Sequence, residues 1–136
     1  MASAAYELGR VALFAELSGR QRRKLATVCS RFTFKPGMDV VREGTMSGIS
    51  FFVVTAGEAT VSVGGVEVAT LGEGDHFGEL ALITEAERTA TVTARTELHC
   101  LAIAFSDFRK FAHANPDVMW KLLQHVVSVL RRNPYA

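Results

Sequence analysis

One stretch of the chain carries residue types that can hold an anion. Phe77-Gly78-Glu79-Leu80-Ala81-Leu82 puts a glycine ahead of a carboxylate and a short apolar run, and Arg88-Thr89-Ala90-Thr91-Val92 follows after five residues. Without a Cβ, Gly78 lets the backbone turn so that successive N–H groups converge on one oxyanion. The Arg88 guanidinium adds paired, charge-assisted hydrogen bonds to the same oxygens. Glu79 repels phosphate, so its place beside the cradle points to another role, accepting hydrogen bonds from ligand hydroxyls such as those of a ribose. Taken singly, the same residues read as a turn glycine and a surface ion pair.

Other chemistry finds weaker footing. Gly72-Glu73-Gly74-Asp75-His76-Phe77-Gly78 comes near the dinucleotide G-x-G-x-x-G pattern, but its last glycine falls one residue late and no long helix follows. His76, Glu79 and His99 are candidate ligands for a metal in a cupin-like jelly-roll enzyme. Such sites pair histidines within one motif, whereas here each stands alone, so no metal is expected. No Ser or Cys sits in a nucleophile motif and no lysine follows a phosphate-loop spacing, so no catalytic role is expected either.

The elements that must position the anion stretch follow from periodicity. Residues 4–17 carry Ala4, Ala5, Leu8, Val11, Ala12 and Leu13 at helical spacing, weakened at Gly9. Ser18 with Gln21 is a capping-box pair that opens a second helix through Val28. Arg20, Arg22, Arg23 and Lys24 crowd its outer side, either as a solvated face or as a contact for DNA or an acidic partner. From Arg31 the period turns to β. Phe32 and Phe34 alternate, Pro36-Gly37 turns, Val40-Val41 is a strand, and Ile49–Thr55 is a strand too apolar for a wet face. Thr60–Val63 and Val66–Ala69 flank Gly64-Gly65, which predicts a tight hairpin. Strands resume at Ala90–Thr93 and Leu98–Ala104. Ser106 then caps a helix over 107–113, and Asn115-Pro116 starts the last one. On it Val118, Met119, Trp120, Leu122, Leu123, Val126, Val127, Val129 and Leu130 cover an arc of about 200°. That is about twice the stripe an ordinary surface helix needs. The helix is therefore expected to meet its own β-domain and a second body, either another copy of the chain in a homodimer or an effector domain; one deep groove burying it all is the alternative.

At 136 residues, the chain has the size of one domain. The expected fold is mainly β with flanking α-helices, a small β-barrel or jelly roll (double-stranded β-helix) carrying N-terminal helices and a C-terminal helical pair. Residues 1–30 form the first helices, 31–104 the barrel with its cassette at 77–91, and 105–133 the last helices. The composition, 49% hydrophobic and 21% charged, is that of a globular protein. A net charge of +1 announces no nucleic-acid or membrane partner. No apolar run approaches the roughly 20 residues a membrane helix needs, and the N-terminus lacks a secretory signal, so cytoplasmic placement is expected. Cys29 and Cys100 lie in apolar surroundings and read as buried, reduced thiols.

Taken whole, the anion stretch resembles the phosphate-binding cassette of the cyclic nucleotide-binding domain family. The resemblance extends to Leu13-Phe14-Ala15-Glu16-Leu17-Ser18, Lys35-Pro36-Gly37, Glu43-Gly44, Phe51–Val54 with Gly57, Gly74-Asp75 and Asn115-Pro116-Asp117. Glu87 stands where proline often precedes the arginine. The resemblance implies that Gly78, Glu79, Leu80 and Ala81 line the phosphate and ribose of cAMP, with cGMP second. Arg88 would bind the cyclic phosphate with Thr89 beside it. Val61, Val63, Val68, Leu80 and Thr91 are further candidates for an apolar wall, with Phe77 at the cassette's start. Arg131 or Arg132 of the last helix would stack on the purine, and movement of that helix would signal capture. A ligand-free interaction scaffold of the same fold stays open. Transcription-factor members of the family continue into a helix-turn-helix where this chain reaches Asn133-Pro134-Tyr135-Ala136, so it is not expected to read DNA itself.

Overall fold

The structure is a computed structural model, and residues 3–11, 14–45, 50–78 and 88–132 are described below, without the side chains of Val126, Val129, Leu130 and Arg132. Helices α1 (Ala4–Gly9) and α2 (Gly19–Ala26) come first, and eight strands follow: β1 (Ser30–Phe34), β2 (Asp39–Val41), β3 (Ser50–Ala56), β4 (Ala59–Val63), β5 (Val66–Leu71), β6 (His76–Phe77), β7 (Thr91–Ala94) and β8 (Leu98–Ala104). Helices α3 (Phe105–Ala114) and α4 (Pro116–Arg132) close the order. The strands form two four-stranded antiparallel sheets, ordered β1-β8-β3-β6 and β2-β7-β4-β5. They face each other as a mainly β sandwich with flanking helices. The expected barrel is thus an open one, because no ladder joins the two sheets among the described residues.

Strand β3 explains why its sequence shows no wet face. Side chains alternate across a strand. Phe51 and Val53 join Leu101, Ile103, Phe14, Phe108 and Val118 in a core between sheet and helices. Phe52 and Val54 join Cys100, Ala102, Val92, Phe77 and Ala59 in a second core between the sheets. Both faces are covered, so the strand reads as a continuous apolar run. The Gly64-Gly65 hairpin forms as expected, with φ of 58° and 80° at the two glycines, values that L-residues adopt at a cost.

Two local expectations need correction. The first helix stops at Gly9 instead of running on to 17, and the Arg10 N–H donates to the Glu7 carbonyl at 3.2 Å in a tighter terminal turn. Glycine inside a helix costs about 1 kcal/mol against alanine, and the Arg22 side chain packs over this position. Ala12 and Leu13 lie outside the described residues. Helix α3 begins at Phe105 with Ala104 at its cap, so Ser106 lies inside the helix and does not cap it. Asn115-Pro116 starts α4 as expected, with Pro116 as its first residue and the Asn115 carbonyl accepting from the Val118 N–H at 2.9 Å, while the Asn115 side chain turns elsewhere: its amide donates to the Phe111 carbonyl at 2.9 Å, and its oxygen accepts from Gln21 Nε2 at 3.0 Å. The Ser18–Gln21 capping box is present in both directions, so Gln21 both starts α2 and ties it to the α3–α4 corner.

On α4 the wide apolar arc divides. Val118 and Leu122 are buried, while Met119, Trp120, Leu123 and Val127 remain between 43% and 64% exposed. A groove burying the whole arc is therefore ruled out by these side chains. Among the described residues, no helix is long and apolar enough to cross a membrane.

Candidate functional site

The site is assembled from three segments that are distant in sequence. Strand β6 pairs with β3, Phe52 opposite Phe77 and Val53 opposite His76, and delivers Gly78 alongside Phe51 and Ser50. Phe77 stacks on Phe52 with ring centroids 5.0 Å apart, which anchors the strand just before the glycine. Gly78 has φ +87°, a conformation that suits glycine and few other residues. A Cβ there would stand 2.9 Å from Arg88 Nη1 and 2.9 Å from the Ser50 carbonyl oxygen. The absent side chain is what lets the guanidinium close on the backbone.

Arg88 is positioned from both ends. Its N–H donates to the Thr45 carbonyl and its carbonyl accepts from the Gly44 N–H, both at 2.9 Å. Its Nη2 donates to the Ser50 carbonyl at 2.9 Å. The neighbouring Glu43 holds this loop to the sheet. Its N–H donates to Thr91 Oγ1 and its carboxylate accepts from the Gly64 N–H, each at 2.9 Å. Arg88 is only 9% exposed, the one charged side chain among the described residues that is buried. Burial lowers its pKa, because the charged form loses hydration. A buried cation on a glycine-bared backbone is an arrangement in which an oxyanion ligand gains more than it would in water.

The sequence-expected residues divide as follows. Gly78 and Arg88 come together. Thr89 is exposed beside Arg88. Glu79, Leu80 and Ala81 lie outside the described residues, as does the side chain of Arg132. Val61 is half-buried and packs against the core between the sheets, and Val63 is half-buried at the hairpin end of β4. Val68 is 47% exposed, where the β4–β5 register shifts. Thr91 alternates with the buried Val92, and its hydroxyl is engaged by the Glu43 N–H. Arg131 is exposed near the end of α4.

The histidines considered for a metal do not share a site. His99 lies 3.1 Å from Thr33 Oγ1 and 2.8 Å from Glu97 Oε1, while His76 packs against Phe51 and against His125 of α4, with ring centroids 5.3 and 5.4 Å apart. No group of three or more His, Cys, Asp or Glu suited to a metal occurs among the described residues. Two partners in the site were invisible to sequence reasoning. The Ser50 carbonyl is a backbone group with no side-chain signature. His125 reaches β6 only because α4 folds back on it, and a lone histidine in an otherwise amphipathic helix gives no such signal.

The profile of the family described as "Cyclic nucleotide-binding domain" matches residues 31–115. The cAMP-dependent protein kinase regulatory subunit of Yarrowia lipolytica is 38% identical over 105 residues, 76% of this chain and 28% of that protein. That of Eremothecium gossypii is 38% identical over 122 residues, 89% of this chain and 24% of that protein. A cGMP-dependent protein kinase of Toxoplasma gondii is 36% identical over 96 residues, 71% of this chain and 10% of that protein. The chain thus spans about a quarter of the length of these regulatory subunits. Among solved structures, the N-terminal domain of a transcriptional regulator from Streptomyces coelicolor superposes with a TM-score of 0.78 at 32% identity, covering 92% of each chain. The regulatory domain of Toxoplasma gondii PKA crystallised with cAMP gives 0.75 at 27% identity, covering 90% of this chain and 49% of that one.

Proposed function

The chain belongs to the cyclic nucleotide-binding domain family, and on that premise we propose that it captures cAMP, with cGMP second, without altering it and reports capture through α4. The observation that carries this reading is the approach of Arg88 to Gly78, a buried guanidinium 2.9 Å from where a Cβ would stand. The cyclic phosphate binds Arg88 and the amides from Gly78 to Ala81, and it offers the guanidinium a charged acceptor in place of the neutral Ser50 carbonyl. The Glu79 carboxylate accepts the ribose 2′-hydroxyl, and Thr89 lies beside the phosphate. Leu80 with Val61, Val63, Val68, Phe77 and Thr91 supplies the apolar wall, and Arg131 or Arg132 stacks on the purine. The His125–His76 contact supports the signalling part, since it joins α4 to the strand that leads directly into Gly78. The open side of α4, with Trp120 64% exposed, supports a contact with a second copy of the chain or with an effector domain.

Hydrogen bonds to charged groups contribute roughly 1.5 to 3 kcal/mol, and every 1.4 kcal/mol is about tenfold in affinity. Arg88→Leu is therefore expected to weaken cAMP binding by about two orders of magnitude while the protein stays folded. Calorimetric titration with cAMP and cGMP measures this, and undiminished affinity in a folded Arg88→Leu protein removes the assignment. If the unaltered chain gives neither heat nor a thermal shift with either nucleotide, the ligand-free scaffold takes its place.

A further inference from the structure

Away from Gly78 and Arg88, a crevice of about 280 Å³ opens between α1 and α2, walled by Tyr6, Gly9 and Arg10 on one side and Gly19, Arg22 and Arg23 on the other. The two glycines make room for the two guanidiniums. A Cβ on Gly9 would stand 2.5 Å from Arg22 Nη1, and one on Gly19 would stand 3.2 Å from Arg23 Nη1. Among the described residues, neither Arg22 nor Arg23 has a carboxylate partner or a side-chain hydrogen bond. The carboxylate on α1, Glu7, is turned to Arg31 at 3.4 Å. Arg10 does have a counter-ion, Glu73 at 2.9 Å, but both members are about half exposed, and water screens such a pair. Tyr6, 62% exposed, adds an aromatic wall.

Three arginines line one hollow, two of them without an internal anion, and their guanidiniums are forks that match phosphate geometry. The volume lies just below the roughly 300 Å³ at which small-molecule sites begin, enough for a phosphate group with a short substituent. We propose that the α1–α2 crevice is a second anion site, which takes the dianionic phosphate of a small phosphate monoester between Arg22, Arg23 and a recruited Arg10. This site shares no residue with the Gly78–Arg88 cradle and stands whether or not that cradle binds a nucleotide.

The test is a titration of the isotopically labelled full chain with inorganic phosphate and with glycerol phosphate, against sodium chloride at matched ionic strength. Amide shifts at Gly9, Gly19 and Arg22 that saturate with both phosphates and not with chloride are expected. Arg22→Gln and Arg23→Gln should each weaken binding roughly tenfold, the effect of one charge-assisted hydrogen bond. Arg88→Leu should leave these shifts intact, which separates the crevice from the cradle. Gly9→Ala should displace Arg22 and abolish the response, with a melting curve confirming the fold of each variant. Shifts that fail to saturate, that chloride reproduces, or that persist unchanged in folded Arg22→Gln and Arg23→Gln proteins would overturn the proposal.

Discussion

Arg88 shows what a charge costs and what it makes available. Its lowered pKa means that the folded state holds the proton less tightly, so burial of the cation works against folding throughout the neutral range. The bond from its Nη2 to the Ser50 carbonyl offsets part of that cost, and the backbone bonds to Gly44 and Thr45 fix the residue's position. Gly78 is the partner on which the site's geometry depends. Gly78→Ala is expected to destabilise the protein by roughly 1–2 kcal/mol from the left-handed backbone alone. The added methyl would also push the Arg88 guanidinium off the backbone, so cAMP affinity should fall as well. A denaturant melt and a calorimetric titration on the same variant measure the two effects, and retention of both full stability and full affinity would show that the close approach is dispensable. Gly78 and Arg88 could be picked out from the sequence because glycine and arginine bring properties that no other residue supplies. The Ser50 oxygen could not, since every residue carries a carbonyl.

At the scale of elements, α2 and α4 carry the testable consequences. The reciprocal Ser18–Gln21 box starts α2, and the Gln21 amide continues to Asn115 at the α3–α4 corner. Ser18→Ala is expected to cost about 1 kcal/mol, as loss of an N-cap does, read as a drop in the denaturation midpoint with an unchanged slope. For α4, cyclic nucleotide binding is expected to raise hydrogen-exchange protection over residues 117–132, because one side of the helix is packed and the other open. Identical protection with and without ligand would end the signalling role given to it. Helix ends were the least readable part of the chain. The early stop falls at Gly9, where an arginine side chain from another helix lies over the backbone, and the start at Phe105 ahead of Ser106 reflects continuous passage from β8 into α3.

For the molecule as a whole, the two cysteines report on the integrity of both cores. Cys100 lies in the core between the sheets and Cys29 against the core beneath the helices. Burial pushes their thiols up from 9.0, to about 12 and about 11 respectively. The native state therefore holds these protons more tightly than the unfolded chain does. Its advantage is complete below about pH 9 and is lost as pH rises towards 11 to 12. Melting temperature should fall across that window, and both thiols should react slowly with a thiol reagent at pH 8 until denaturant is added. Rapid labelling of Cys100 in the native protein would contradict the sheet packing.

Sequence by itself determined the strand segments other than β6, the glycine hairpin, the capped start of α2 and the residue types of the anion cradle, because each rests on local stereochemistry and on periods of two or 3.6 residues. Tertiary structure alone decided that the strands form two open sheets, that α4 buries Val118 and Leu122 while leaving Trp120 outside, and that Ser50 and Gly78 meet at Arg88. Those outcomes depend on contacts between segments dozens of residues apart, whose pairing is selected by the joint packing of two cores and is written in no single stretch of the chain.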